Sequence, residues 1–165
     1  MYNNNNEIEY EIKNGNGFKK EYDSDNLIFV GEHLNGKKHG KVKEYFWDGK
    51  LKFEGEYING IKNGKCKEYE HCWFDHYLKF EGEYLNDKIW NGKGYNIKNE
   101  VVFEIKDGNG YVKEYSGNKL IFEGEYLNGE RNGHGYEGYY IYEGEYSNGK
   151  RNGKGKEYYS KPMNL

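Results

Sequence analysis

Apolar and polar residues alternate one by one along several short segments of the chain. In residues 51–57 every second residue is apolar or glycine, and the residues between them are lysine or glutamate. A period of two places the apolar residues on one face of an extended strand, so this segment is predicted to be a strand with one buried face. The pair Asn59-Gly60 follows, and both residue types accept the positive φ of a tight turn. The segment is therefore predicted to open a β-hairpin.

This hairpin pattern recurs along nearly the whole chain. The segment that begins at Phe53 has close copies that begin at Phe80, Phe122 and Tyr142, and a weaker copy at Phe29. One glycine of each unit marks the repeat: Gly17, Gly40, Gly64, Gly92, Gly110, Gly133 and Gly153. Their spacing runs from 18 residues (92 to 110) to 28 residues (64 to 92), which is shorter than the ~33 residues or more of helical repeats. Each unit has room for two strands and two turns.

The sequence therefore predicts an all-β fold, an elongated single-layer antiparallel β-meander of about seven stacked hairpin repeats. The array is predicted over residues 7–160, between an Asn-rich N-terminal tail at 1–6 and a C-terminal tail at 161–165. Units 10–17 and 103–110 are shortened and are predicted to hold tighter hairpins. Glycines at strand centres, such as Gly55 and Gly82, are predicted to leave room for neighbouring aromatic rings to lie flat.

Composition narrows the class of protein. The chain has 24 Gly and 19 Tyr among 165 residues, no Ala, and a mean hydropathy of −1.21. So polar a chain resembles a disordered one, but its aromatic content of 18% argues against disorder. No apolar run approaches the ~18 residues of a membrane span. The net charge of −3 favours neither nucleic acid nor anionic membranes as a partner.

Cysteine usage and the N-terminus bear on localisation. The chain begins without the basic and apolar regions of a secretory signal, and its two cysteines make no disulfide framework. An intracellular, cytoplasmic location with reduced thiols is therefore predicted, with peripheral membrane association as the alternative.

The last repeat resembles a known family. Tyr142-Glu143-Gly144-Glu145-Tyr146 is followed by Asn-Gly at 148–149 and by Gly-x-Gly at 153–155. This order resembles the MORN repeat (membrane occupation and recognition nexus), and the resemblance covers residues from about 7 to 159. Some units depart from the pattern because Val42, Cys66 and Val112 replace the second glycine of Gly-x-Gly. The resemblance implies a twisted single-layer sheet with scaffold and assembly roles, often through homodimers.

The aromatic stripe supplies the candidate binding residues. Most of these rings are expected to stack as the core, because the chain has no other residues from which to build one. A single-layer sheet cannot close over its own apolar face, so part of the stripe is predicted to line a groove that binds a partner. The candidate groove residues are Phe53, Tyr57, Phe80, Tyr84, Phe122, Tyr126, Tyr142 and Tyr146.

The sequence gives little support for a catalytic site or a metal site. The repeated glutamates, such as Glu54 and Glu56, alternate onto the polar face, where cross-strand lysines are expected to pair with them. The four serines lie at turns or in poorly patterned stretches, so no catalytic residue and no cofactor is predicted. One weak candidate zinc set exists in Cys66, His71, Cys72 and His76. Its spacing matches no standard finger, and incidental residues in a lengthened hairpin loop are the favoured interpretation.

These observations predict a non-catalytic repeat scaffold that mediates protein–protein interaction or self-assembly through an aromatic groove. The predicted partner is a protein or peptide, or a second copy of the chain, and not a nucleic acid. One alternative is a module that associates with phospholipid at a membrane surface. The other is a small enzyme or sugar-binding protein that uses the same groove.

Overall fold

A computed structural model describes residues 10–72, 75–137 and 141–158, and across these residues the chain forms fourteen strands and no helix. The strands are β1 (Tyr10–Lys13), β2 (Asn16–Asp23), β3 (Asn26–Leu34), β4 (Lys37–Tyr45), β5 (Leu51–Ile58), β6 (Ile61–Cys72), β7 (Asp75–Leu85), β8 (Lys88–Tyr95), β9 (Val101–Ile105), β10 (Gly110–Ser116), β11 (Lys119–Leu127), β12 (Glu130–Glu137), β13 (Ile141–Ser147) and β14 (Lys150–Tyr158). Strands adjacent in sequence lie side by side and antiparallel, which confirms the predicted all-β hairpin meander. The predicted tails at 1–6 and 161–165 lie outside the described residues.

Seven hairpins, here called units 1 to 7, follow one another as β1–β2, β3–β4, β5–β6, β7–β8, β9–β10, β11–β12 and β13–β14. The meander divides into a nine-stranded sheet, β1–β9, and a five-stranded sheet, β10–β14. The division falls inside unit 5, where an isolated bridge between Lys106 and Asn109 is the pairing next to the turn. The predicted single layer is thus interrupted at one of the two shortened hairpins.

The turns within the units form a ladder along one edge of the array. In unit 3 the φ angles of Asn59 and Gly60 are 53° and 86°, the pair of left-handed residues that a type I′ hairpin turn requires. The amide of Gly60 donates to the carbonyl of Lys38 in the preceding unit, at 2.7 Å. Equivalent backbone bonds join Gly36 to Gly15, Asp87 to Lys62, Gly108 to Trp90, Gly129 to Gly108 and Gly149 to Arg131.

Six of the seven units carry a second Asn in the turn, and three of these side chains reinforce the ladder. The Oδ1 atom of Asn16 accepts from the amide of Asn35 at 2.7 Å. Asn91 accepts in the same way from Asp107 at 2.9 Å. The second Asn therefore satisfies a backbone donor of the next unit, which would otherwise need water.

Aromatic rings lying flat over glycines make the core. A Cβ atom on Gly55 would lie 2.6 Å from the ring of Phe53, and one on Gly82 would lie 2.8 Å from the ring of Phe80. These contacts confirm the predicted role of the strand-centre glycines. Phe53 and Phe80 are only 1% and 3% exposed, and burying a side chain of this size contributes about 2 kcal/mol.

The residues that replace the second glycine of Gly-x-Gly are also in the core. Val42, Cys66 and Val112 are buried. Each pairs with a strand-centre glycine on the adjacent strand: Gly31, Gly55 and Gly124, respectively. A small apolar side chain thus occupies the space that the missing Cβ leaves.

The second sheet contacts the long hairpin of the first. The Ser116 hydroxyl donates to Glu70 at 3.2 Å, and a Cβ on Gly117 would lie 2.8 Å from the Cys72 sulfur. On the opposite edge, Lys88 pairs with Glu130 at 3.0 Å. These contacts bring the aromatic faces of β7 and of β10–β11 together. The described residues include no helix long and apolar enough to cross a bilayer.

Candidate functional site

The eight candidate groove residues occupy two kinds of position. Six are buried: Phe53, Tyr57, Phe80, Phe122, Tyr142 and Tyr146. Tyr84 and Tyr126 are partly buried and reach the surface of the aromatic face. The stripe is therefore mainly core, and the role of these residues in binding stays a prediction.

Ring geometry is regular from unit to unit. Phe53 and Tyr57 pack edge to face with their centroids 5.6 Å apart, and Phe80 and Tyr84 do so at 5.8 Å. Tyr84 also packs edge-on against Phe53 of the preceding unit at 6.4 Å. Such T-shaped pairs add to the energy of area burial. Tyr84 thus covers one ring in its own unit and one in the unit before it.

A buried polar cluster accompanies these rings. The ammonium of Lys62 lies 4.3 Å from the ring centre of Phe53 and 3.0 Å from the Glu68 carboxylate. The hydroxyl of Tyr84 donates to the same carboxylate at 2.7 Å. Burial by itself would raise the pKa of Glu68, but Lys62 and the Tyr84 hydroxyl outweigh it, and the pKa is lowered. Burial and Glu68 together raise the pKa of Tyr84. Glu68 is therefore ionised, and it is paired with both Lys62 and Tyr84.

The cation–glutamate–tyrosine cluster recurs. It consists of Lys38, Glu44 and Tyr57 between units 2 and 3, and of Arg131, Glu114 and Tyr126 between units 5 and 6. The sequence interpretation missed the role of these cations and glutamates. A signal was present, because Lys38 and Glu44 are six residues apart, as are Lys62 and Glu68, which puts each pair on the aromatic face of its strand.

The junction between units 4 and 5 lacks all three polar parts of this cluster. In unit 4 the residue paired with Tyr84 is Ile89, whereas in unit 3 the residue paired with Tyr57 is Lys62. The return strand β8 has no Lys-Glu-Tyr segment. In unit 5 Ile105 pairs with Gly92 and so stands at the position that tyrosine takes opposite Gly40 and Gly64, which leaves no hydroxyl there.

A cleft opens at this junction, here called the aromatic cleft. It has a volume of about 240 Å³. The first sheet contributes Phe80, Tyr84, Ile89, Tyr95 and Phe103 to its walls, with Glu68, Lys79, Asp87 and Lys88. The second sheet contributes Lys113, Glu114, Tyr115, Tyr126 and Gly129. Tyr84 and Tyr126, the two candidate groove residues that are not buried, both line this cleft.

The lysines that line the aromatic cleft have partners outside it. Lys79 pairs with Glu70 at 2.8 Å, and Lys113 pairs with Glu123 at 2.9 Å. Lys88 pairs with Glu130, as described above. Glu68 and Glu114 are held by their own clusters. Ring faces and the Ile89 side chain thus form the apolar part of the cleft surface, and the exposed Asp87 lines it as well.

The polar face carries a second concavity, a trough of about 910 Å³ over β2 to β8. One row of side chains along it alternates in sign from strand to strand: Lys43, Glu54, Lys67, Glu81, Lys93 and Glu104. Lys67 lies 3.1 Å from Glu81, and this contact raises the pKa of Lys67. The predicted ladder of cross-strand Lys–Glu pairs is confirmed, and its charges balance one another.

The weak candidate zinc residues lie in different surroundings. Cys66 is buried in the core, and burial raises the pKa of its thiol to about 12. Cys72 contacts Gly117, whereas His71 faces Asp48 in the β4–β5 turn, with Nε2 3.4 Å from Oδ2. The part of the chain that the structure describes has no group of three or more His, Cys, Asp or Glu placed to hold a metal ion.

The two histidines instead hold the lengthened β6–β7 hairpin against its neighbour. Nε2 of His76 lies 2.7 Å from the carbonyl oxygen of Leu51, and the ring of His76 stacks on Tyr69 at 5.2 Å. His71 packs against Phe46 with centroids 5.5 Å apart. Asp48 was not foreseen from the sequence, because a turn aspartate gives no signal of a partner 23 residues away.

Comparison with known proteins adds one finding on the family. The family model described as the MORN repeat matches residues 53–69, 122–140 and 142–161. The first match falls in unit 3, and the other two begin in units 6 and 7. No curated protein matches the chain significantly.

Proposed function

Because this chain is a MORN repeat protein, we propose that it is a non-catalytic scaffold that binds a protein partner at the aromatic cleft. Repeats of this family occur in proteins that bind membranes and protein partners. The proposal rests on the aromatic cleft, because Tyr84 and Tyr126 both line it and are accessible there. Tyrosine-rich concave surfaces are typical of protein interfaces.

The polar groups support binding rather than catalysis. General acid–base chemistry needs a group that is free to exchange a proton near neutral pH. Glu68 and Glu114 each accept a tyrosine hydroxyl and pair with a cation, so both carboxylates are engaged within the fold. The glutamates of the polar face pair with cross-strand lysines.

A separate partner is favoured over assembly through the outermost strand of the second sheet. β14 is exposed from Lys150 to Glu157 and carries Arg151, Lys154 and Lys156 along its length. Cationic side chains on an edge strand oppose pairing with another strand of the same kind. The aromatic cleft does not depend on that edge.

The proposal is tested by a matched pair of substitutions on β10. Tyr115→Asp places a charge at the wall of the cleft, and Tyr111→Asp places the same charge on a tyrosine that is 56% exposed and outside the cleft. Partners captured from native extract by the tagged full chain are identified by mass spectrometry and then rebound as purified proteins. We expect a partner whose binding falls at least tenfold with Tyr115→Asp and is unchanged with Tyr111→Asp. Equal binding by both folded variants would reject the cleft as the binding site.

A further inference from the structure

We infer that the aromatic cleft is a socket for one uncharged aromatic side chain, such as a tyrosine, presented by the partner; this inference rests on the proposed function. The argument begins with what is missing at the junction of units 4 and 5. At two other junctions a tyrosine of the following unit covers the phenylalanine of the preceding one: Tyr84 covers Phe53 at 6.4 Å, and Tyr146 covers Phe122 at 5.4 Å. In unit 5 the smaller Ile105 stands at the position of that tyrosine, opposite Gly92, so Phe80 receives no such ring.

Phe103 packs on Phe80, but in a different arrangement from the tyrosine that packs on Phe53. It lies over Gly94 and stacks on Phe80 with centroids 6.3 Å apart and an interplanar angle of 18°. This parallel arrangement differs from the edge-to-face packing of Tyr84 on Phe53. Beyond Phe103 the aromatic cleft remains open between Tyr84 and Tyr126. The junction thus has the buried Ile105 where the repeat pattern has a tyrosine, and the cleft lies beside this smaller side chain.

The size of the cleft fits a single ring. A cavity of about 150 Å³ lined by apolar side chains accepts benzene. The aromatic cleft measures about 240 Å³, which leaves room for a ring with a polar substituent. Tyr84 and Tyr126 already donate to Glu68 and Glu114, so the hydroxyl of an incoming tyrosine has carboxylate oxygens nearby that can accept a hydrogen bond.

The charged groups around the aromatic cleft disfavour a cationic side chain as its ligand. In units 2, 3 and 6 a lysine or arginine lies over the phenylalanine ring, and its charge is matched by one glutamate. At the junction Ile89 takes the place of that cation. Glu68 and Glu114 are already paired with Lys62 and Arg131, and Lys79 is close enough to both carboxylates to feel their charges. The remaining carboxylate, Asp87, is exposed and accepts from the backbone amide of Lys62 at 2.7 Å. A cation beside Glu68 and Glu114 would lose its hydration without gaining a free counter-charge.

The inference is tested with small probes on the isotope-labelled full chain. N-acetyl-tyrosinamide, N-acetyl-argininamide and N-acetyl-leucinamide are titrated while backbone amide shifts are followed by NMR. We expect saturable shifts with the tyrosine probe, confined to amides around Ile89, Phe103 and Tyr126. The arginine and leucine probes should give no saturable shift. Saturation by the arginine probe at the same amides, or by none of the probes, overturns the inference.

Filling the socket provides the matched control. Ile89→Phe places a ring in the cleft and should abolish the saturable shifts, whereas Ile58→Phe enlarges an isoleucine that is 48% exposed and should leave them unchanged. Tyr115→Ala is used where Ile89→Phe does not give a folded spectrum, and it should weaken binding of the tyrosine probe at least threefold. Shifts that persist in the folded cleft variant overturn the inference. A partner that still depends on Tyr115 while the probe fails to bind would leave the proposed function standing and reject only the socket.

Discussion

Tyr84 of unit 4 donates its hydroxyl hydrogen to Glu68 of unit 3, at 2.7 Å. The bond crosses the boundary between two units, and Tyr57 and Tyr126 make the equivalent bonds to Glu44 and Glu114. Neighbouring units are therefore tied by buried polar contacts as well as by ring packing and strand pairing.

Tyr84→Phe should lower the free energy of unfolding by about 1.5–3 kcal/mol, because Glu68 is ionised and loses a charged hydrogen bond. Tyr111→Phe is the control, since its hydroxyl donates to Glu123 at 3.2 Å on an exposed surface. Its effect should stay within about 0.5 kcal/mol. Urea denaturation followed by circular dichroism measures both. A loss for Tyr84→Phe no larger than that of the control would contradict the role of the buried bond.

Gly55→Ala should destabilise the array by about 1–3 kcal/mol, because the new methyl would lie 2.6 Å from Phe53 and 2.7 Å from Cys66. Gly49→Asn serves as the control. Gly49 has a φ of 79°, a Cβ added to it would have no atom within 4 Å, and asparagine tolerates that backbone. Thermal denaturation should show a clear fall in midpoint for the first variant alone. Equal midpoints would mean that the ring of Phe53 moves away without cost.

Lowering the pH should weaken the first two units through His33. This histidine is 8% exposed and stands where units 3, 4 and 6 have tyrosine. Burial lowers the pKa of His33 below 6.5 despite the nearby Glu21 carboxylate. A folded-state pKa below the unfolded value gives stability that is present above pH ~6.5 and is lost as the pH falls through the folded-state pKa.

The measurement for His33 compares denaturation midpoints at about pH 7.5 and about pH 5, on either side of the ordinary histidine pKa. His33→Tyr should reduce the loss of stability at the lower pH, because it removes the buried titrating ring and supplies a hydroxyl toward Glu21. His134→Tyr, at a side chain that is 60% exposed, should keep the wild-type pH dependence. An unchanged pH dependence in His33→Tyr would show that other groups cause the loss.

Cys66 should resist alkylation in the folded protein, because burial raises the pKa of its thiol to about 12 and thiolate is the reactive form. Cys72 is only partly buried and should react first with iodoacetamide at pH 8. Peptide mass spectrometry resolves the two sites, and both should react in urea. Modification of Cys66 at the rate of Cys72 without urea would contradict the buried position.

Much of the fold follows from the sequence because its signals are local. Strict alternation in residues 51–57 fixes which side chains of β5 face the core, and the Asn-Gly pair fixes the turn. The Lys–Glu rows of the polar face follow from the same alternation. The flat packing of Phe53 on Gly55 could be foreseen because no other residue type leaves that space.

The rest depends on relations between distant residues. Glu68 and Tyr84 are 16 residues apart, and a glutamate beside apolar residues on a strand gives no sign of the hydroxyl that satisfies it. The break between the two sheets is also hidden, since residues 103–110 have the turn chemistry of an ordinary short hairpin. The aromatic cleft arises from that break together with the Glu70–Ser116 contact, which joins residues 46 positions apart.

The ladder of turns has a mechanical consequence. Backbone bonds such as Gly60 to Lys38 hold successive turns at a fixed spacing along one rim of the array. Among the described turns on the opposite rim, the backbone bonds stay within a single turn, as between Phe46 and Lys50. Because these backbone bonds resist stretching along one rim, the array bends more easily by spreading or closing the other rim. We therefore expect bending of the array to change the spacing of the β2–β3, β4–β5 and β8–β9 connections, which form that other rim.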